Sequence, residues 1–389
     1  MTEKRIWEKE HFTNKDREEV LVYAQKLIQA KSYNPPGDER KAGKFAAEIL
    51  EKAGFYVTME EFEENRVNVC GIYGNEEDIA LILNGHLDVV PAFGQWERSP
   101  SGGERENGVL YGRGSCDMLG GVAGILKAAD IIGRSKISSE RGIMVLLVAD
   151  EEDMNRGIRH ILSEKKLKAE YAVIAEPTEC EIQLGNRGFS SFYIHTSGIA
   201  CHASEPWNGV NAIYKMGEII RRVERYADEL GYVKNEFLGQ ATACIGTIQG
   251  GIRLNTVPDS CTIEIERRLL PGETKEKIKK ELERIIGEFG VVEDRSFFPA
   301  SLIEADSFLV QRCYEILKEI QGKEPVISVF KACTEASMFS VECGIPTLLL
   351  GPGSLKQAHR VDEFCKEQDI VDCAELFTQL FYEALKGKR

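Results

Sequence analysis

The sequence predicts an α/β protein in which a mostly parallel sheet is interrupted by a smaller, inserted α+β domain. Three observations carry that expectation. Short, continuous apolar runs, each followed by polar or glycine-rich residues, occur at Ile79 to Leu83, Ile143 to Ala149, Tyr171 to Ala175 and Pro346 to Leu350, as strands buried on both faces require. Helical periodicity lies between several of these runs. From about Asn186 to Pro299 the rhythm changes to longer alternating segments, which suit an antiparallel sheet with one covered face.

Apolar residues recur at helical spacing from Thr13 to Ala30 (Val20, Leu21, Tyr23, Ala24, Leu27, Ile28) and from Lys41 to Ala53, just before Gly54. Both segments read as amphipathic helices. Further helices are expected over Gly121 to Ile132 and Ile158 to Glu164, between the buried strands. In the middle region strands are expected at Phe189 to Thr196, Ala241 to Ile248, Asp259 to Leu269 and Val291 to Phe297, with helices over Gly209 to Leu230 and Thr274 to Phe289. The order βαββαβ is the ferredoxin-like arrangement, which puts both helices on one face of a four-stranded antiparallel sheet. The expected domains are 1–185 with 300–389, a discontinuous unit, and 186–299, the insertion. No internal repeat or low-complexity tract is visible.

Composition narrows the function. The 389 residues are 43% hydrophobic and 29% charged, an ordinary globular balance. With 49 Lys and Arg against 63 Asp and Glu, the net charge is −14, which speaks against a nucleic-acid partner, since that needs a basic footprint. The eleven cysteines are scattered singly from Cys70 to Cys373 with no C-x-x-C pair. Free thiols in a reducing compartment are expected rather than a disulfide framework. The opening MTEKRIWEKEHF lacks the apolar core of a secretory signal. No apolar run reaches the roughly 18 residues of a membrane span. The expectation is a cytoplasmic protein with no membrane partner.

The residues that can do chemistry follow the buried runs. NGHLDVVP supplies His86 and Asp88, DEED supplies Glu151 and Glu152, EPT supplies Glu176, and GPGSLKQAHRVDE supplies His359. The turn YGRGSCDMLGG adds Asp117 before the helix near Gly121. In a parallel sheet these strand ends share one edge, where ligands collect. Two imidazoles and several carboxylates together repel and desolvate one another unless a cation sits among them. Mixed His and carboxylate ligands point to a borderline ion, zinc first, with cobalt or manganese as substitutes. Five ligands (His86, Asp117, Glu152, Glu176, His359) exceed one open zinc site but suit two ions sharing a carboxylate and a water, which is hydrolytic chemistry.

In H-x-D, residues two apart in an extended strand face the same way, so Asp88 is expected to hold the free ring nitrogen of His86. In Glu151–Glu152 the neighbours point apart, so one can bind metal while the other serves as general base; an acidic helix start favoured by the dipole is the plainer reading. G-x-S-x-G, H-E-x-x-H, G-x-x-x-x-G-K-[ST] and G-x-G-x-x-G are all missing, and nothing singles out Cys116 as a nucleophile.

GHLDVVP, GRGSCDMLGG, ADEED, AEPT, HASEP, GGIRLNTVP and GPGSLKQAH together resemble the di-zinc amidohydrolases that include acetylornithine deacetylase, succinyl-diaminopimelate desuccinylase, aminoacylase and glutamate carboxypeptidase. The resemblance spans essentially the whole chain. It implies a catalytic domain built from both chain ends and an inserted lid used for homodimerisation. It implies that Asp117 bridges two ions, with His86 and Glu176 on one and Glu152 and His359 on the other. Glu151 matches the general base and Asp88 its supporting acid. In the lid, His202 matches a histidine that reaches a neighbouring subunit's site and steadies the oxyanion. Asn255 and Arg268 fall at substrate contacts, Arg268 suiting a substrate carboxylate. His11, His160 and His195 match nothing in the pattern. The family's usual Met-Lys-Gly after the bridging aspartate is here Met118, Leu119 and Gly120, and Asp153 follows Glu152 in place of the usual residue.

The segment KACTEASMF resembles the Cys-Thr-Glu-Ala of acetylornithine deacetylases more than the Thr-Ser-Asp of desuccinylases. Thr334 and Glu335 are therefore expected to bear on specificity, Glu335 by attracting a substrate amino group or by capping a helix start. The expected reaction is hydrolysis of an N-acyl amide on an amino acid or short peptide, N-acetylornithine first, which implies a place in arginine biosynthesis. Desuccinylase, aminoacylase and dipeptidase activities compete within the class. A non-catalytic binding relative would lack a ligand or the base, and none is missing.

Overall fold

The computed structural model describes residues 12–164 and 167–387. The chain divides into two compact units, one formed by 1–185, 303–330 and 334–389, the other by 186–302 with Lys331–Cys333. Residues 300–302 and the short Lys331–Cys333 segment thus fall with the insertion, a little beyond the boundary read from the sequence.

In the first unit the sheet runs in the order Tyr56–Glu63, Arg66–Gly74, Gly142–Val148, Ile79–His86, Tyr171–Ile174, Thr347–Leu349, Ile182–Asn186. The four central strands are mutually parallel. The flanking pairs are antiparallel. The sheet is therefore mixed, with the expected parallel strands at its centre. Every residue of Ile79–His86 and of Gly142–Val148 is buried. Each large aliphatic side chain so enclosed is worth about 1.5–3 kcal/mol, enough for the two strands to hold their ends fixed against charge repulsion at the edge.

Helices Leu119–Ser135 and Glu367–Lys386 pack on each other and on the central strands, and Asn14–Ala30 packs on both. The first helix starts with a capping box in which the Thr13 hydroxyl accepts the Asp16 N–H while the Asp16 carboxylate accepts the Thr13 N–H. Helix Leu119–Ser135 is almost entirely buried. Its Gly121 is required by contact, because a Cβ there would lie 2.3 Å from the Ala175 carbonyl oxygen. That close approach brings the turn carrying Asp117 against the strand end carrying Glu176. The hairpin Tyr56–Gly74 and the last helix escaped the sequence reading.

The inserted unit has its strands in the order Thr242–Gly250, Ser260–Leu269, Gly188–Ser197, Val291–Phe298, all antiparallel. Helices Ala212–Leu230 and Lys275–Ile286 pack on each other and on this sheet. This is the ferredoxin-like order. Ser260–Leu269 buries Cys261, Ile263, Ile265, Arg267 and Leu269 in strict alternation, the period of a strand with one covered face. Among the described residues, no helix is long and apolar enough to cross a membrane.

Candidate metal centre

Each chemical candidate in the first unit stands where a buried strand ends. His86 closes its strand, Glu151 and Glu152 follow Gly142–Val148, Glu176 follows Tyr171–Ile174, and His359 lies in the loop after Thr347–Leu349. Because these strands are parallel neighbours, their carboxyl ends form one edge, the place such sheets reserve for ligands. Asp117 arrives from the turn ahead of helix Leu119–Ser135.

Asp117 turns one carboxylate oxygen towards each histidine. Its Oδ1 is 3.2 Å from His86 Nε2 and its Oδ2 is 3.5 Å from His359 Nε2. The latter nitrogen is also 2.9 Å from Glu152 Oε2. The donor atoms of His86, Asp117 and Glu152 all lie within 4.8 Å of one another, as do those of His86, Glu151 and Glu176. His86 is common to both groups.

His86 Nδ1 is 2.8 Å from the Asp88 backbone carbonyl. A carbonyl only accepts, so Nδ1 carries the proton and Nε2 is left for the centre. This corrects the expectation that the Asp88 side chain does the orienting, for its carboxylate stays 3.8 Å away. The regular strand stops at His86, so the alternation that would align the two side chains does not extend to residue 88. Instead, the Asp88 carboxylate accepts the backbone N–H groups of Glu151 and Glu152 at 3.1 and 3.2 Å and the Asn34 amide at 2.8 Å. Its task is to fix the acidic turn.

Sequence reasoning missed the residues beneath that turn. Asn34 Nδ2 also donates to Asp150, at 3.0 Å. Asp150 sits at φ 68° directly before Glu151, and its carboxylate takes Arg156 and Arg66 as partners. Arg66, itself buried, pairs in addition with Glu39 at 2.8 Å. Burial works against the Asp150 charge, but hydrogen bonds from Arg156 and Asn34 and the Arg66 charge hold its carboxyl below the usual range. The NPPGDER stretch offers no pattern that announces this role.

The centre itself has no such cations. Among the described residues, the only ion pairs of Asp117, Glu151, Glu152 and Glu176 are those that Asp117 and Glu152 make with the two histidines. Burial, compounded by Glu176 and Glu152, pushes the Glu151 carboxyl well up. Burial and Asp117 do the same to Glu176 and raise Glu152. For His86, burial opposes the imidazolium, yet the Asp117 hydrogen bond and the charges of Glu151, Asp88 and Glu152 outweigh it and raise its pKa well above the ordinary value. The hydrogen bond to Glu152 raises His359. Glu152 Oε1 is buried without a hydrogen-bond partner. Several kcal/mol per uncompensated buried ion would consume a net stability of about 5–15 kcal/mol. The acids are therefore either protonated or neutralised by cations from outside the chain, and the donor set of two imidazoles and four carboxylates fits divalent metal.

The comparison with known proteins decides the family. The pattern of peptidase family M20/M25/M40 matches residues 82–383. The chain belongs to that family. It is a metal-dependent hydrolase of amide or peptide bonds. Acetylornithine deacetylase of Aliivibrio fischeri (strain ATCC 700601 / ES114) is 30% identical over 384 residues, which cover 94% of this chain and 98% of the relative. In three dimensions the chain is similar to a tripeptidase from Staphylococcus aureus, with TM-score 0.74 and 21% identity over 95% of this chain and 99% of the other. It is also similar to the YXEP protein of Bacillus subtilis, described as a dinuclear metal binding peptidase of the M20 family, with TM-score 0.71 and 15% identity over 96% and 99% of the two chains.

The remaining candidates are distributed over this M20 chain as follows. Thr334 Oγ1 accepts the Ala336 N–H at 3.2 Å, a local cap. Glu335 is 0% exposed, so its carboxyl has no surface to offer a substrate amino group, and neither of its oxygens caps a backbone N–H. It lies beside Asn84 in the field of His86 and Asp88, and burial pushes its pKa up to about 8. In the inserted unit, exposed His202 bonds Ser204 through Nδ1 at 2.7 Å, and its segment pairs with that of Thr256, next to Asn255. Arg268 is half-buried, paired with Glu266 at 2.6 Å and stacked over Phe189. His160 stacks on Phe62 and pairs with Glu60. His195 bonds Thr262 and Glu293 within the strand layer. His11 lies outside the described residues.

Proposed function

We propose that the chain hydrolyses the N-acyl amide bond of an N-acyl amino acid, with N-acetylornithine as substrate, and that it holds two divalent ions to do so. The observation that carries the reading is Asp117 facing one histidine with each oxygen in a carboxylate-rich pocket where, among the described residues, no lysine or arginine pairs with the acids. His86 and Glu176 would hold one ion, Glu152 and His359 the other, and Asp117 both. Zinc suits the mixed donors, with cobalt or manganese as substitutes. Such ions, when bound, bring the pKa of water to near 7 and polarise a carbonyl.

Glu151 takes the proton of the attacking water and delivers it to the leaving amine nitrogen. Asp88 holds the turn from which Glu151 acts. Asn255 and Arg268 are assigned to substrate binding, Arg268 to an α-carboxylate in exchange for Glu266. A homodimer through the inserted unit is supported by its exposed edge strand and by exposed Ile248, Ile252 and Leu254, and in it the partner subunit's His202 serves as a donor to the oxyanion. A cytoplasmic setting is supported by eleven cysteines of which none is in a disulfide. The substrate rests on the deacetylase relative and on the Cys333-Thr334-Glu335-Ala336 segment.

The test is the initial rate of amine release from N-acetylornithine by zinc- or cobalt-loaded protein. Chelator-sensitive turnover of roughly 1–10³ per second is expected. No turnover from fully metallated protein would overturn the substrate, and hydrolysis of N-succinyl amino acids, other acyl amino acids or dipeptides would then replace it within the same chemistry.

A further inference from the structure

The loop that carries His359 and the turn that carries Asp117 are sewn together by one side chain to which no role has been given. Glu363 lies four residues beyond His359 and is 0% exposed. Its Oε1 accepts three backbone N–H groups from the other segment, those of Gly114 at 3.1 Å, Cys116 at 2.9 Å and Asp117 at 3.1 Å. Its Oε2 takes the guanidinium of Arg113, and its backbone carbonyl accepts the Gly112 N–H at 2.9 Å. Strands Val109–Tyr111 and Phe364–Lys366 pair on the flank of this junction.

Three convergent N–H groups on one carboxylate oxygen form a charge-assisted clamp on the main chain. The clamp closes on Asp117 itself, so it fixes the backbone from which that side chain reaches both histidines. At the other end Glu363 is covalently tied, through Arg360, Val361 and Asp362, to His359, which adopts a left-handed φ of 62°. An aspartate that must face two imidazoles at once tolerates little drift between the two segments.

We propose that Glu363 is a positioning residue for the metal centre, one carboxylate setting Asp117 and His359 in register so that both ions can be held. The inference rests on the two-ion reading above. The Asp117–His359 side of the centre, with Glu152, depends on it most, because His86 and Glu176 are fixed by their own strands.

The experiment titrates Co²⁺ into metal-free wild type, Glu363→Gln and Glu363→Asp, following the visible absorption of the bound ion and its competition with a chelator. Glu363→Gln keeps the shape but replaces the charge with an amide whose NH2 group opposes Arg113. The expected result is two ions in the wild type and, in Glu363→Gln, a first ion weakened less than tenfold through its share of Asp117 and a second weakened about 10–100-fold, with an altered absorption envelope. Glu363→Asp, which retains the charge on a shorter arm, should restore part of the lost affinity, and it carries the test alone should the glutamine variant fail to fold. Asp362→Asn is the control, since this carboxylate, next to Glu363 in the His359 loop, accepts the backbone N–H groups of Glu97 and Arg98 and not those of the Asp117 turn, and the change should leave both affinities as they are. Two ions at wild-type affinity and spectrum in the Glu363 variants would overturn the proposal. So would an equal loss in Asp362→Asn, which would mean that loop stability alone is at work. A wild type that takes up fewer than two ions would instead remove the two-ion reading on which the proposal stands.

Discussion

Two acidic clusters in the first unit have the same outline and opposite solutions. Asp16, Glu19 and Asp130 bring their oxygens within the same 4.8 Å as the groups around His86. There the Lys127 ammonium sits among them, 3.5, 2.6 and 2.7 Å from Asp16, Glu19 and Asp130, and Arg134 adds a second cation to Asp16. At Asp16 burial is outweighed by the Thr13 hydrogen bonds and by Arg134, and its pKa falls to about 2. At Glu151 and Glu176 burial is not outweighed, and the shift runs upward. The geometry of the acids is thus uninformative by itself. What separates a structural cluster from a metal centre is whether the chain brings its own cation.

The largest effect is expected from Glu151→Gln, which should lower kcat about 10²–10⁴-fold with metal content unchanged, measured by turnover and elemental analysis on the same sample. Full turnover in a normally metallated variant would remove Glu151 from its role. Lys127→Met should do the reverse. It leaves three acids without their ammonium and should cost about 3 kcal/mol, read as a lower Tm, while turnover per folded molecule stays at the wild-type level.

Glu335 sharpens the contrast in pH. Its carboxyl is raised to about 8, so the folded state binds the proton more tightly than the unfolded chain does. The resulting stability is present below the ordinary carboxylate range and is lost as pH rises through about 8. In metal-free protein, wild type should therefore lose stability relative to Glu335→Gln between pH 5 and 8, on the order of 3 kcal/mol by denaturant unfolding. A difference that does not change with pH would show that Glu335 is charged throughout. The smallest effect is expected at Asp16, whose depressed pKa has the opposite sign. Asp16→Asn should be the less stable protein at neutral pH, with the gap closing as pH falls from about 4 through about 2.

The parallel strands and the ligands at their ends were legible because burial on both faces writes continuous apolar runs, and because the side chains that follow such runs must share an edge. The inserted unit was legible from its alternation. The edge hairpin Tyr56–Gly74 was not, since its first strand is largely exposed and carries no apolar run. The last helix, buried along most of its length, presents no polar stripe to contrast with a core face. At the site, the five proposed ligands and the base were visible as residue types, whereas the groups that aim them were not. Asn34, Arg66 and Glu363 act from 32, 27 and 250 positions away on Arg66, Glu39 and Arg113, and such partnerships leave no local spacing to read. The Asp88 expectation failed for a related reason, because it carried regular strand geometry two residues past the end of the strand at His86.

The central claim is that the buried acids around His86 are neutralised by divalent ions that displace protons. The most direct test is calorimetric titration of zinc into chelator-treated protein at pH 7, repeated in buffers of different ionisation enthalpy, which counts ions and released protons together. The account predicts two ions per chain and a net release of protons on binding. Binding without proton release, or no binding at all, would contradict it.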